Sequence, residues 1–307
     1  MKPESGWRPQ REVEILAGTP PGGGLDRAAR ALAAAIEARK LLDVPVKVVN
    51  IPGDGARKVW RAVDERRGDA HVLCISSPNL TSDNLTGVTT FDHDAYTPLA
   101  ILCTEYIAFV VRADSPLKSG SDLLAKLGKD AAGVTVALAT ALGNPNHIAL
   151  AQVVRHAGGD MQAPKIRVFD SAIDAVADVV AGNADVGAVT AASALKALAE
   201  SKVRTLAVSA PGRLAGPFAQ APTWIEQSVP CVIGAWRGAS GPAGLTVPQA
   251  AYWERALAAA TASPQWAAEL GHYCWAPAYR DGAPLREALA RERADMRDTL
   301  GALGLLR

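Results

Sequence analysis

The feature that most restricts this chain is a cadence that begins at Val13 and repeats. A short apolar run leads into a turn of Gly, Pro, Ser or Asn, then into a longer segment with helical spacing. That alternation is the pattern of βαβ units, in which helices cover a largely parallel sheet. Strands are expected over residues 13–17, 46–49, 71–75, 107–112, 134–139, 166–169, 184–190, 206–209 and 232–239. Helices are expected over 27–39, 56–66, 122–127, 147–156, 173–181, 193–200, 248–261 and 283–306. At 307 residues the chain has room for two domains of roughly 150 each. The expected division sets residues 1–110 plus 232–307 against 111–231, with the last segment returning to the first domain.

Charge and hydropathy remove several classes of function. With 32 Lys+Arg against 31 Asp+Glu the net charge is +1, too balanced for a protein that neutralises many phosphates, so no nucleic acid partner is expected. No apolar stretch reaches the ~18–20 residues that cross a bilayer; even 181–198 is broken by Asn183, Asp185 and Lys196. The opening MKPESGWRPQRE lacks the basic start, apolar run and small-residue cleavage site of a secretory leader. It reads either as an intracellular start or as a mature form restarted with Met. Cys74, Cys103, Cys231 and Cys274 form no CxxC pair and read as buried thiols, with one disulfide left open. His71, His93, His156 and His272 show no ligand spacing, so no metal is expected.

The chemistry is expected in the loops that join strands to helices, where free N–H groups and the positive end of the helix dipole favour anions. Thr19-Pro-Pro-Gly-Gly-Gly-Leu-Asp26 lets the backbone approach a ligand closely, although the spacing is neither G-x-G-x-x-G nor a P-loop. Asp26 is read there as a helix cap. Ser76-Ser-Pro-Asn79 offers hydroxyls, and Thr140-Ala-Leu-Gly-Asn-Pro-Asn-His147 offers Thr140, Asn146 and a capping or structural His147. In Phe169-Asp-Ser-Ala172, Asp170 or Ser171 is the expected cap. Asp174 and Asp178 share one helical face, read as solvated. An enzyme using His147 with Asp170 or Asp26 lacks a third group, and no G-x-S-x-G elbow occurs.

Seven segments in order make the reading specific: PGGGLDRAARAL, VKVVNIPGDG, ADSPLKSGSDLLAKL, GNPNHIAL, AGNADVGAV, VRTLAVSAPGR and GAWRGASGPAGL. Together they resemble the substrate-binding proteins of tripartite tricarboxylate transporters, the Bug or TctC type. The ending from SPQWAAELGHYCW to LGALGLL is similar to that family's C-terminal region, and Trp236-Arg237-Gly238 also occurs in its tricarboxylate-binding branch. The resemblance spans residues 13–306. It implies an α/β protein of the two-domain, periplasmic-binding-protein-like (type II) fold. Each domain would be a mixed, mostly parallel sheet flanked by helices, with a ligand cleft between them that closes as a Venus flytrap. It also implies a periplasmic, monomeric carrier without cofactor or catalysis. Such a carrier captures a di- or tricarboxylate or related organic acid and delivers it to the permease subunits of a tripartite membrane transporter.

Loop position gives the expected ligand contacts: Thr19, Pro21, Gly22, Gly23 and Gly24, with Ser76 and Ser77 beside them. From the second domain come Thr140, Gly143, Asn144 and Asn146, with Asp170 and Thr190 on the opposite wall. A carboxylate at Asp170 would repel an anion. It therefore either turns away as a cap, or the ligand is less anionic or carries an amine or hydroxyl for it to bind. The alternative function is a ligand-sensing module of the same build, acting with a regulatory partner.

Overall fold

The computed structural model describes residues 6–307, so the first five residues of the leader reading lie outside the described residues. The first three strands, β1 (Val13–Ala17), β2 (Val46–Asn50) and β3 (Val72–Ser76), pair in parallel with β1 in the middle. Helices α1 (Gly24–Ala38) and α2 (Arg57–Asp64) make the crossovers, and α3 (Asn79–Leu85) follows β3. Val13, Ile15, Leu16 and Ala17 are fully buried because both faces of the sheet are covered, as the continuous apolar run requires.

The fourth strand, β4 (Thr97–Arg112), is 16 residues long and belongs to both halves of the molecule. The chain then builds a second layer from β5 (Thr135–Ala139), β6 (Lys165–Phe169), β7 (Val186–Thr190) and β8 (Val203–Val208). Its helices are α4 (Gly120–Asp130), α5 (Pro145–His156), α6 (Ala172–Val180) and α7 (Ala191–Ala199). The return segment holds β9 (Gly234–Gly241), α8 (Val247–Thr261), α9 (Pro264–Tyr273), β10 (Ala276–Arg280) and α10 (Gly282–Ala302). The strand order is β2-β1-β3-β9-β4-β7-β5-β6, with β8 and β10 also on β4. From Thr97 to Tyr106, β4 pairs with β9; from Ile107 onward it pairs with β7 and β8. The change of partner at Tyr106/Ile107 is the joint between two lobes.

Each lobe has a core on both faces of its sheet. In the first, Ile15, Leu32, Trp253 and Trp266 fill one side and Leu16, Val59 and Trp60 the other. In the second, Phe109 packs with Leu127, Leu150 and Trp224, while its neighbour Val110 packs with Val179, Val208 and Phe218. Adjacent β4 residues point to opposite faces, so a single strand feeds both cores.

Several expectations need correction. Only the far half of β4 was expected, because Thr97, Pro98, Thr104 and Glu105 interrupt the apolar pattern. Ser-Ser-Pro-Asn read as a turn, yet α3 starts at its Asn79, and α9 and β10 were not expected. Asp178 is not solvated: it is buried and takes two hydrogen bonds from Arg167, at 2.7 and 3.0 Å. All four cysteines are buried free thiols, which closes the disulfide alternative.

The C-terminal helix α10, expected to present a solvated charge run, closes the back of the molecule. Its Met296 and Leu300 pack against Leu85 of the first lobe and Ile148 of the second. Its Arg293 donates to Asp92 and to Asn84 at 2.9 Å, and its Glu292 accepts from Trp236 Nε1 at 2.7 Å. Because Leu300 is fully buried at this joint, Leu300→Ala should cost about 2–5 kcal/mol of stability. Urea unfolding of the two proteins measures it, and a loss under about 1 kcal/mol would show that the joint collapses around the deletion.

Candidate functional site

The N-termini of four helices meet in the space between the lobes. The start of α1 contributes Gly23 and Gly24, α5 contributes Asn144, Pro145 and Asn146, α6 contributes Ser171, Ala172 and Ile173, and α7 contributes Thr190 and Ser193. They enclose a cavity of about 60 Å³. Asn144 and Ser171 cap their own helices through His147 N and Asp174 N, whereas the N-caps Gly23 and Thr190 make no side-chain cap. Four positive dipole ends directed at one small space make it a site for negative charge.

The Gly-rich loop is fixed from behind. Asp26 is not the cap of α1, because the helix begins at Gly24 and places Asp26 in its first turn. From there its carboxylate accepts from Gly22 N–H at 2.7 Å, from Asn50 Nδ2 at 2.8 Å and from Arg30 Nε at 3.0 Å. Burial pushes the Asp26 pKa up, but these hydrogen bonds outweigh it and hold the group below the usual carboxylate range. Thr19 Oγ1 accepts from Asp26 N at 3.1 Å, and Asn50 Nδ2 donates to the Thr19 carbonyl at 2.9 Å. Gly23 is required here, since a Cβ would lie 2.6 Å from the Thr19 side chain.

The floor of the cavity carries charge that the loops do not supply. Arg237 of β9 is the only charged side chain lining it among the described residues. Its Nη2 donates to Glu105 Oε2 of β4 at 2.7 Å; Arg237 is 6% exposed and Glu105 0%. Glu105 Oε1 accepts from Ala192 N at 3.2 Å and lies 3.8 Å from Arg27 Nη2. Arg27, of α1, also donates to Ser193 Oγ of the other lobe at 2.9 Å and to the Gly22 carbonyl at 2.8 Å. Burial lowers the Arg27 pKa, and Glu105 opposes that shift. A second bridge between lobes runs from Asn79 Nδ2 to Thr140 Oγ1 at 2.6 Å.

Of the expected contacts, Thr19, Gly23, Gly24 and Ser77 line the cavity from the first lobe, and Thr140, Asn144, Asn146 and Thr190 from the second. Five others lie elsewhere. Pro21 and Gly22 are at the exposed tip of their loop. Ser76 is buried, its Oγ accepting from Ser240 Oγ at 3.3 Å. Gly143 has φ 82° and sits where a Cβ would meet Leu300 and Thr86, behind the cavity. Asp170 is exposed, because Ser171 is the cap of α6. His147 is structural: its Nδ1 accepts from Gly143 N at 3.0 Å, and burial lowers its pKa to about 4, leaving it neutral. Arg237, Glu105, Arg27, Ser193 and Asn79 were missed. The available signal was one charge isolated in each of two strand-like runs, LCTEYIAF and GAWRGASG, since a buried charge needs a partner.

A larger hollow of about 490 Å³ lies on the other face of β9, against α10, where Trp236 points away from Arg237. Among the described residues Pro145 alone lines both spaces, and the converging helix starts belong to the smaller one.

Among known proteins, the family model described as "ABC transporter, phosphonate, periplasmic substrate-binding protein" matches residues 81–230, a little under half of the chain. No curated protein matches the sequence. Among solved structures, a TctC solute-binding protein from Polaromonas, without ligand, is 25% identical over 95% of this chain and 99% of its own, with TM-score 0.69. The chain has the TctC and Bug solute-binding fold. R. palustris Rpa4515, solved with adipate, is 19% identical over 96% of this chain and 98% of its own, with TM-score 0.86. MatC from Rhodopseudomonas palustris, with bound malate, is 22% identical over 95% and 99%, with TM-score 0.81. The Polaromonas protein is described as a solute-binding protein and the family model as a periplasmic substrate-binding protein, neither of them an enzyme.

One ion pair near the cleft titrates in the acid range. Asp83 of α3 is 2% exposed, with Oδ2 3.3 Å from Arg57 Nη1 and Oδ1 without a partner. Burial raises its pKa to about 6 although Arg57 pulls it down. The folded chain therefore binds this proton more tightly than the unfolded chain, and stability from this group falls as pH rises from about 4 to about 6. Asp83→Asn should reduce the difference in unfolding free energy between pH 4 and pH 7 by roughly 2–3 kcal/mol relative to the parent. An unchanged difference in urea titrations at the two pH values would contradict the assignment.

Proposed function

We propose that this chain is an extracytoplasmic solute-binding protein that closes on a small organic carboxylate and presents it to a membrane permease. The single observation that carries the reading is the convergence of four helix N-termini and one buried arginine on a cavity between two lobes. The bound ligands of two fold relatives, malate in MatC and adipate in Rpa4515, support a carboxylate. The expected divisions at 110/111 and 231/232 fall within a few residues of where β4 changes partners and where the chain returns at β9, and the lobes rotate there. The ligand contacts are the eight expected residues that line the cavity, with Asn79, Ser193 and Arg237 added. Ligand touching both lobes stabilises the closed form over the open one, and the permease reads the closed form.

A phosphonate is the second reading, since the family model that matches residues 81–230 carries that description. Both classes present an oxyanion to helix N-termini and differ in shape and charge. A thermal-shift panel of carboxylates, phosphonates, sulfonates, amines and sugars separates them. A ligand at 1,000 times its Kd adds about 4 kcal/mol of stability, which is a large shift. Stabilisation by a carboxylate is the expected result, and stabilisation by phosphonates alone would replace it.

Gly24→Ala tests the cavity floor. Its Cβ would lie 2.9 Å from Arg237 Nη2, displacing the guanidinium while leaving α1 with a better helix former. Affinity for the best carboxylate should drop about tenfold in calorimetric titration, the size of one lost charge-assisted hydrogen bond. An undiminished affinity would remove Arg237 from the binding site.

A further inference from the structure

The charges around the cavity do not cancel, and the remainder is informative. Arg27 and Arg237 are 8% and 6% exposed, and a single carboxylate, Glu105, stands between them. The nearby Asp26 is paired with Arg30 at 3.0 Å and Asp83 with Arg57 at 3.3 Å, although Asp26 also pulls on Arg27. Counted over Arg27, Arg237 and Glu105, one positive charge is left over. Arg237 makes one side-chain hydrogen bond among the described residues, to Glu105, and its Nε is buried without a partner. Its remaining N–H donors, out of five on a guanidinium, have no protein acceptor. A buried charge left unmatched is costly, so a bound molecule that brings one negative charge recovers the most. Space sets a second limit. The cavity is small, about 60 Å³, which favours a compact ligand.

Building on the carboxylate reading above, we propose that the cleft selects a compact monocarboxylate of about three carbons over di- and tricarboxylates, with Arg237 as the specificity-determining residue. The ligand's carboxylate meets the open donors of Arg237. The hydroxyls of Thr140 and Thr190 and the amide of Asn146 bind a short polar tail such as a 2-hydroxy or 2-keto group. A second carboxylate finds no second charged side chain on the cavity lining among the described residues. Glu105 sets this preference by cancelling one of the two arginines.

The test is a calorimetric panel on the intact protein: propionate, lactate and pyruvate against malonate, succinate, malate and citrate, with neutral lactamide as a control. The expected result is binding of a three-carbon monoanion at least about tenfold tighter than any dianion or trianion, with lactamide weaker still. The same panel on Glu105→Gln, its fold checked by circular dichroism, should show the dianion gaining about tenfold relative to the monoanion, because the surplus becomes two charges. Arg237→Gln, which brings the surplus to zero, should lose the monoanion by at least tenfold while narrowing its gap to lactamide. A parent protein that prefers malate, succinate or citrate overturns the proposal even if neither variant folds. It leaves the carboxylate reading standing. An unchanged charge preference in a folded Glu105→Gln protein overturns the role of Glu105 and with it the charge count. Silence toward every carboxylate of the panel overturns the carboxylate reading itself.

Discussion

Glu105 sits on β4 just before the strand leaves one sheet for the other, and Arg237 on the adjacent β9 donates to it at 2.7 Å. Two charges buried at the joint between lobes are tolerated only because each meets the other and because Ala192 N–H takes a second lone pair of Glu105. The site depends on this contact in three ways. It positions a guanidinium on the cavity floor, it ties the start of α7 in the second lobe to the strand that enters that lobe, and it places Arg27 where it can reach Ser193. Glu105 and Arg237 are diagonal neighbours on the antiparallel pair, within the reach of long side chains, and so the β4–β9 register decides whether the pair forms.

The lobes are bridged on two sides. In front, Arg27 to Ser193 and Asn79 to Thr140 bridge the cleft with hydrogen bonds between polar groups that water can replace. Behind, Met296 and Leu300 of α10 hold Leu85 and Ile148 in one apolar cluster. The front bridges exchange with solvent at small cost, whereas separating the rear cluster exposes apolar surface. Motion that opens the front while the rear stays packed is therefore the least costly path, with bending taken up where β4 changes partners.

Most of the fold could be read along the chain, and the reasons for the exceptions are local. The strand at residues 13–17 was placed to the residue because a five-residue apolar run between polar flanks has few alternatives. The first half of β4 escaped because its pairing with β9 and β10 tolerates Thr, Pro and Glu that a period-two pattern does not. Loop composition located eight residues of the cavity wall, since small and polar residues at strand-to-helix turns serve no core. It misplaced Ser76, Gly143 and Asp170 because a loop has an inner and an outer side, and one residue along the chain reverses which side is faced.

The class of fold, the parallel βαβ order and the loops from which a site could be built are legible along the chain, because they follow from periodicity and turn chemistry within a few residues. The charge of the site arises only on folding. Arg27, Glu105 and Arg237 lie 78 and 132 residues apart along the chain, and their meeting depends on strand crossing and register. Coulomb energy in a dry interior falls with distance in space rather than along the chain, so the surplus that distinguishes this cleft appears only when the strands are in place.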